Sequence, residues 1–229
     1  MPTCVEVDMR TIAIVSQKGG AGKTTLAINL SVEAARASIA LIIDTDPQAT
    51  ASCWGEWRGG LDPEVIDCGA PSLLAGKLAK AAELGAEVAI IDTPPHADAM
   101  ARQAARLADL VLIPCRPRAF DLAAIEATAE LVRSSRTPAF VVFNAGPPRA
   151  PVVYREAADL VGGAFGLAIA PVIVPERADF HHSAAAGHTA AERDHHGKAA
   201  SEIRALWTWT CGQVGMSARG RADTEESVA

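Results

Sequence analysis

Short, unbroken runs of apolar residues recur along this chain, and each run ends at a polar or turn-forming residue. The runs occupy residues 11–15, 39–43, 88–91, 110–113, 140–143 and 168–174. A strand that is buried on both faces of a parallel sheet has such a continuous apolar pattern, whereas a half-exposed strand alternates. The runs therefore predict the strands of a buried, mostly parallel sheet.

Segments with helical periodicity separate these runs. They cover residues 26–37, 72–84, 97–107, 121–134, 152–161 and 198–214. Strands that alternate with helices predict a doubly wound α/β fold with helices on both faces of the sheet. In the last segment Ile203, Leu206 and Trp207 share one helix face, and we expect this face to dock on the sheet.

Composition favours one domain in a reducing compartment. The chain has 229 residues, of which 49% are hydrophobic, so it can bury a single large core. We therefore expect one domain over residues 1–216, followed by a disordered tail at residues 217–229, which is small, charged and poor in large apolar side chains. Five scattered cysteines suit a cytoplasmic protein better than a disulfide framework.

A glycine-rich loop lies directly after the first apolar run and before the first helical segment. Glycines at three of its four central positions allow left-handed backbone and let successive N–H groups converge on an anion. Lys23 is placed to contact the β- and γ-phosphates of a nucleotide, and the Thr24 hydroxyl to bind Mg²⁺. The predicted cofactor-binding residues of the loop are Gly19, Gly20, Ala21, Gly22, Lys23, Thr24 and Thr25.

The loop departs from the standard P-loop pattern in an informative way. Gln17 stands where that pattern has its first glycine, and a second lysine, Lys18, begins the sequence Lys-Gly-Gly-x-Gly-Lys-Thr-Thr. This variant resembles the deviant Walker A motif of the ParA/MinD group of P-loop ATPases. The resemblance implies that Lys18 is catalytic together with Lys23, and that Lys18 reaches the phosphates bound by the partner subunit of an ATP-dependent sandwich dimer.

Acidic residues follow two of the predicted strands. Asp44-Thr45-Asp46-Pro47-Gln48 comes after the second run and Asp92-Thr93-Pro94-Pro95 after the third. Carboxylates at strand ends beside a phosphate loop suit Mg²⁺, which takes oxygen ligands directly or through water. Both segments are similar to the switch I and Walker B segments of the same ATPases. By that resemblance Asp44, Asp92 and Thr24 would serve the metal, and Asp46 would position or deprotonate the attacking water.

The resemblance extends from residue 11 to about residue 191 and is greatest to short, single-domain ParA partition proteins. Asn144, Pro175 and Glu176 fall where that family contacts adenine. An ordinary alternative exists for these positions, since Asn144 could simply end a strand in a turn and Pro175 could simply stop one.

The family implies a function. It predicts a Mg²⁺-dependent ATPase with slow intrinsic turnover that dimerises with ATP, binds DNA without sequence preference and positions a plasmid, a chromosome or a large cytoplasmic assembly. A ParB-like or other adaptor would stimulate hydrolysis, in the cytoplasm or at the nucleoid and without a membrane partner. An ATP-dependent synthetase or amidoligase of the same fold, and a non-catalytic nucleotide-binding scaffold, remain alternatives.

The charge distribution bears on DNA binding. The formal net charge is −6, yet residues 115–155 carry six arginines against three acidic residues. This segment is the candidate DNA-binding patch, unless its arginines are merely solvated surface residues. Its arginines are Arg116, Arg118, Arg133, Arg136, Arg149 and Arg155.

Two other residue groups are expected to have no role in binding a metal or a nucleic acid. The histidine pairs at 181–182 and 195–196 lack a cysteine or acidic partner at zinc-site spacing, so we expect them to be exposed. Trp54 and Trp57 are expected to pack in the core rather than to stack on bases.

Overall fold

A computed structural model describes residues 8–218. Its strands form one parallel sheet in the order β3-β2-β4-β1-β5-β6-β7, and β8 pairs with β6. This arrangement confirms the predicted parallel α/β sheet. The strands are β1 (Arg10–Ile14), β2 (Ala40–Asp44), β3 (Glu64–Asp67), β4 (Val88–Asp92), β5 (Leu110–Cys115), β6 (Ala139–Gly146), β7 (Ala168–Ile169) and β8 (Val174–Pro175).

Helices cover both faces of this sheet, because successive residues of a strand point to opposite sides. In β1, Ile12 and Ile14 pack with α1 and α10, whereas Ala13 packs with α3, α4, α6 and α7. The helices are α1 (Lys23–Ala35), α2 (Thr50–Arg58), α3 (Pro71–Glu83), α4 (Asp98–Leu107), α5 (Ala119–Ala123), α6 (Ile125–Arg133), α7 (Pro151–Phe165), α8 (Ala178–Ala184), α9 (Ala190–Arg193) and α10 (Lys198–Val214).

The last long helix docks as expected. Ile203, Leu206 and Trp207 are buried in the cluster that α10 forms with α1 and the sheet. No helix of residues 8–218 is long and apolar enough to cross a membrane. Of the predicted disordered tail, only residues 217 and 218 belong to the part of the chain that the structure describes.

Several element predictions need correction. The run at 168–174 is two short strands, β7 and β8, because Pro171 lies between them and has no N–H to donate. The helix predicted at 121–134 is divided into α5 and α6 at Ala124. Elements α2, β3, α8 and α9 had no counterpart in the sequence prediction.

The two tryptophans have different environments. Trp54 is buried as expected, whereas the side chain of Trp57 is 61% exposed, so its predicted core packing is wrong. Both lie on α2, three residues apart, and the helix turns Trp57 away from the sheet. The two histidine pairs are exposed, as predicted.

A candidate nucleotide and magnesium site

The glycine-rich loop joins β1 to α1 at the carboxyl edge of the sheet. Gly20 and Gly22 have φ angles of 72° and 89°, in the left-handed region that glycine tolerates. A Cβ at Gly22 would also lie 2.2 Å from the Asn144 amide nitrogen. Gly22 is the N-cap of α1, so the first N–H groups of this helix face the loop and favour an anion.

The remaining loop residues differ in exposure. Gly19 and Gly20 are exposed, Ala21 is buried, and Thr24 and Thr25 are half-buried in the first turn of α1. The backbone at Gly19 and Gly20 is therefore accessible to a ligand, whereas the rest of the loop packs against the protein. A glycine-rich loop of this kind, preceding a helix N-terminus, is suited to a polyphosphate chain.

Lys23 is a buried cation at this loop. Its side chain is only 7% exposed, and Nζ donates a hydrogen bond to the Lys18 carbonyl over 3.3 Å. Burial lowers the pKa of Lys23, and the nearby carboxylates of Asp92 and Asp46 oppose that shift. The ammonium group thus lies among backbone and carboxylate oxygens, where phosphate oxygens would be stronger partners.

Asp92 ends β4, and its buried carboxylate is only partly compensated. Among the described residues, neither of its oxygens has a hydrogen bond of good geometry. Burial raises its pKa to about 7, and the nearby Thr24 hydroxyl only partly offsets this effect. An orphaned carboxylate beside a phosphate loop fits a hard cation, so Asp92 and Thr24 are the residues that would hold Mg²⁺, directly or through water.

Asp44 ends the neighbouring strand β2 and is fully buried, but its charge is compensated. It accepts a hydrogen bond from the Asp46 backbone N–H over 3.1 Å. The backbone N–H and hydroxyl of Ser52 also donate to it, over 2.8 and 2.9 Å. Asp44 therefore ties the loop after β2 to α2, and any contact with a metal ion would be made from this fixed position.

The two other predicted catalytic residues are more accessible. Asp46 is half-buried, and its carboxylate accepts a hydrogen bond from the Gln48 backbone N–H over 2.9 Å. Lys18 is half-buried, and within residues 8–218 its ammonium group has no hydrogen-bond or ion-pair partner. Both side chains lie beside the loop in positions from which a substrate or a second subunit could be reached.

The predicted adenine-contacting residues are brought together by the pairing of β6 with β8. Asn144 is buried and donates a hydrogen bond to the Ala21 carbonyl over 2.8 Å, so its amide supports the phosphate loop. The backbone N–H of Glu176 donates to the Gly146 carbonyl over 2.8 Å, and Pro175 pairs in register with Gly146. The adenine contact itself stays a prediction.

Sequence reasoning missed the hydroxyl groups that hold the strand ends. The Thr45 hydroxyl donates to the Asp92 carbonyl, and the Thr93 hydroxyl donates to the Ile14 carbonyl, each over 2.7 Å. These bonds link the ends of β1, β2 and β4. The signal was present, because both strand-end aspartates are followed by threonine.

The six candidate arginines do not form a single patch, which corrects the prediction. All strands are parallel, so the loops after β5 and β6 lie at the carboxyl edge, whereas α6 ends at the opposite edge, where β6 begins. Arg133 and Arg136 follow α6 to that opposite edge. The others, Arg116, Arg118, Arg149 and Arg155, lie toward the carboxyl edge.

Comparison with known proteins agrees with this geometry. A family model described as the CobQ/CobB/MinD/ParA nucleotide binding domain matches residues 12–190. The chain belongs to this family. The predicted resemblance to ParA/MinD-type ATPases, the fold class and the use of ATP as cofactor are thereby confirmed.

Two curated relatives indicate where in the family the similarity lies. A maintenance of carboxysome distribution protein A from Gloeobacter kilaueensis is 36% identical over 145 residues, which are 61% of this chain and 65% of the relative. A protein ParA from Rhizobium radiobacter is also 36% identical, over 118 residues, 49% of this chain and 51% of the relative. The chain thus spans less than two thirds of the length of these two relatives.

Solved structures share the fold. A Cyanothece McdA variant in complex with ATP superposes with a TM-score of 0.70 at 20% identity, over 91% of this chain and 97% of that one. MinD in a complex with MinC from Aquifex aeolicus gives a TM-score of 0.71 at 18% identity, with the same coverage. At such identities the likeness concerns the fold alone.

Proposed function

We propose that this protein is a Mg²⁺-dependent ATPase with slow intrinsic turnover that dimerises with ATP, binds DNA without sequence preference and positions a large cargo. One observation carries the enzymatic part. A buried lysine, Lys23, and a buried carboxylate without a hydrogen-bond partner, Asp92, lie at the same phosphate loop. The two groups interact electrostatically, but burial still shifts the pKa of each toward its neutral form, and a magnesium nucleotide would compensate both.

The chain's own residues divide the chemistry among them. The loop N–H groups and Lys23 would bind the phosphates, and Asp46 would orient the attacking water. Bound Mg²⁺ would supply positive charge that offsets the charge developing on the phosphoryl oxygens. Because Lys18 has no partner in its own subunit among residues 8–218, it is free to contact phosphates across a dimer. Hydrolysis would then require dimerisation.

The cargo is proposed from the relatives. One curated relative is named for carboxysome distribution and another is named ParA. The first name concerns the distribution of carboxysomes, and a further curated relative is named a chromosome-partitioning ATPase. We infer that this chain also positions a large cytoplasmic assembly or a DNA molecule, and that an adaptor protein on that cargo stimulates hydrolysis.

DNA binding is proposed for the arginines near the carboxyl edge. In a dimer whose two phosphate loops face each other at this edge of the sheet, Arg149 and Arg155 of both subunits would lie near the dimer interface. They could then contact the same DNA duplex. Arg133 and Arg136 would lie at the far ends. Two weak patches on one duplex raise avidity through effective concentration, so ATP would control DNA binding without any new contact.

The test is a pair of titrations. Phosphate release is measured with and without random duplex DNA, and DNA binding is measured by polarisation with ATP, ADP and no nucleotide at several salt concentrations. We expect binding with ATP that weakens steeply with salt. Charge reversal in the Arg149→Glu, Arg155→Glu double variant should abolish it, whereas Arg133→Glu, Arg136→Glu should bind nearly normally.

Other outcomes would contradict the proposal. Equal DNA binding in all three nucleotide states would remove the ATP control. No phosphate release under any condition would leave only a nucleotide-binding scaffold. In the same assay Asp46→Ala should still bind ATP but hydrolyse it much more slowly, which separates binding from catalysis.

A further inference from the structure

Arg116 lies beside the phosphate loop although it is distant in sequence. It is the first residue after β5, and β5 is the neighbour of β1, whose carboxyl end leads into the loop. Its terminal nitrogen Nη2 is 4.0 Å from the position that a Cβ on Gly20 would occupy. Gly20 is one of the two exposed glycines of the loop, so the guanidinium group borders the surface where a polyphosphate would lie.

Arg116 has no internal counter-charge. Its Nε is buried and lacks a hydrogen-bond partner in the part of the chain that the structure describes. Within that part, no carboxylate comes within ion-pair distance of its guanidinium group. By contrast, Arg58 and Arg177, which are also partly buried, are paired with Glu192 and Glu202. A guanidinium group whose Nε is buried without a hydrogen-bond partner is unfavourable, so its partner is expected to be a ligand.

The backbone of Arg116 is held firmly in place. Its carbonyl accepts hydrogen bonds from the Arg118 N–H over 2.8 Å and from the Cys115 thiol over 3.2 Å. Burial raises the pKa of the Cys115 thiol to about 12, so this donor keeps its proton. The next residue, Pro117, packs so tightly on Gly146 that a Cβ there would lie 2.7 Å from the proline ring.

We propose that Arg116 is a phosphate-binding residue that contacts the polyphosphate of the nucleotide held by the loop of its own subunit. The inference rests on the proposed function. It assigns Arg116 to the nucleotide site rather than to DNA, with which the charge count had grouped it. The rigid backbone presents a planar guanidinium fork to phosphate oxygens, and a fork can form two hydrogen bonds where an ammonium acts as a point charge.

The experiment compares the full-length chain with Arg116→Gln and Arg116→Lys. Binding of ATP is measured by calorimetry with Mg²⁺, and tripolyphosphate is used as a competitor because it has neither base nor ribose. In Arg116→Gln we expect the affinities for ATP and for tripolyphosphate to fall by the same factor, about 10-fold or more. Arg116→Lys should recover part of the loss. Arg106→Gln, which changes an exposed arginine in the last turn of α4, is the control and should change either affinity by less than about 3-fold.

The stability of the nucleotide-free protein gives a second readout with the opposite sign. Because the side chain of Arg116 has no ion-pair partner among residues 8–218, Arg116→Gln should unfold at the same or a higher temperature than the unmodified chain. A lower unfolding temperature with unchanged affinities would overturn the proposal and give Arg116 a structural role. A loss confined to ATP, with tripolyphosphate unaffected, would overturn it as well. If the unmodified chain binds neither ligand, the proposed function itself fails, which is a distinct result.

Discussion

Asp44 and Asp92 end neighbouring strands, are paired in register and are both buried, yet their surroundings differ. Three donors from Asp46 and Ser52 compensate Asp44. Among the described residues Asp92 has only the nearby Thr24 hydroxyl, which does not form a hydrogen bond of good geometry, and burial raises its pKa to about 7. One aspartate thus organises the loop after its strand, whereas the carboxylate of the other keeps an unsatisfied buried position, which is the basis for proposing it as a cation ligand.

The same contrast extends to the cations of the site. Within the part of the chain that the structure describes, Lys23 and Arg116 lie at the loop without a carboxylate hydrogen bond, whereas Arg58 and Arg177 form ion pairs with Glu192 and Glu202. Incompletely compensated groups, both acidic and basic, thus surround one loop. Such an arrangement lowers the stability of the empty protein and favours a ligand that carries both phosphate and metal.

The largest expected effect is the loss of catalysis in the Asp92→Asn variant. Asp92→Asn should lower the rate of phosphate release by about 100-fold or more, because it removes a charge that holds Mg²⁺. Single-turnover phosphate release over a MgCl₂ titration measures this effect. Asp67→Asn is the control. Asp67 ends strand β3 and is paired in register with Asp44, but it is exposed. The comparison fails if Asp67→Asn and Asp92→Asn are equally impaired.

The second prediction concerns pH. The folded protein keeps a proton on Asp92 up to about pH 7, whereas the unfolded chain loses it near pH 4. The free energy of unfolding should therefore fall as the pH rises from about 4 to about 7, by roughly 4 kcal/mol from this group. Urea unfolding without nucleotide or metal measures the slope. Asp92→Asn should flatten it, and an unchanged slope in this variant would show that another group is responsible.

The hydrogen bonds of Asp44 should contribute to the stability of the fold rather than to catalysis. Ser52→Ala removes the hydroxyl that donates to Asp44, and we expect the free energy of unfolding to fall by about 1–3 kcal/mol. Denaturant midpoints provide the measurement. Cys53→Ala, at the adjacent exposed position, is the control and should change the midpoint little. Equal midpoints for the two variants would mean that the serine hydroxyl does not compensate the aspartate.

The sequence predicted the central sheet and the loop because each has a local signature. Continuous apolar runs mark strands buried on both faces, and three closely spaced glycines before Lys-Thr mark a phosphate loop. The edge strand β3 escaped detection because Val65 and Ile66 are its only apolar residues. In α2, Gly55 suggests a break in a helix, yet a Cβ there would lie 2.8 Å from the Val65 side chain, so the glycine permits close packing.

The sequence indicated which residues lie at this edge of the sheet, but not which of their charges are compensated by hydrogen bonds. Strand ends place Asp44 and Asp92 at one edge, as the sequence indicated. Which of them is compensated depends on Ser52, eight residues beyond Asp44 and on another element. The contact between Arg116 and the loop likewise joins residues almost a hundred positions apart, and no local pattern encodes it.

The smallest expected effect on stability belongs to Lys18. Its ammonium group has no partner inside the subunit among residues 8–218, and the residue is half-buried. Lys18→Ala should therefore leave the free energy of unfolding within about 0.5 kcal/mol of the value for the unmodified chain. The variant should bind ATP yet remain a monomer by light scattering. An ATP-dependent dimer of Lys18→Ala would show that this lysine does not act across subunits.

The most direct test of the account is calorimetric titration of ATP with Mg²⁺ into the Lys23→Ala variant. Lys80→Ala provides the control, because Lys80 is an exposed lysine whose ion pair with Glu83 lies on the surface. We predict no measurable ATP binding by Lys23→Ala, since the buried cation that balances the phosphate charge is gone, and normal binding by Lys80→Ala. ATP affinity in Lys23→Ala equal to that of the unmodified chain would contradict the assignment of this loop as the nucleotide site.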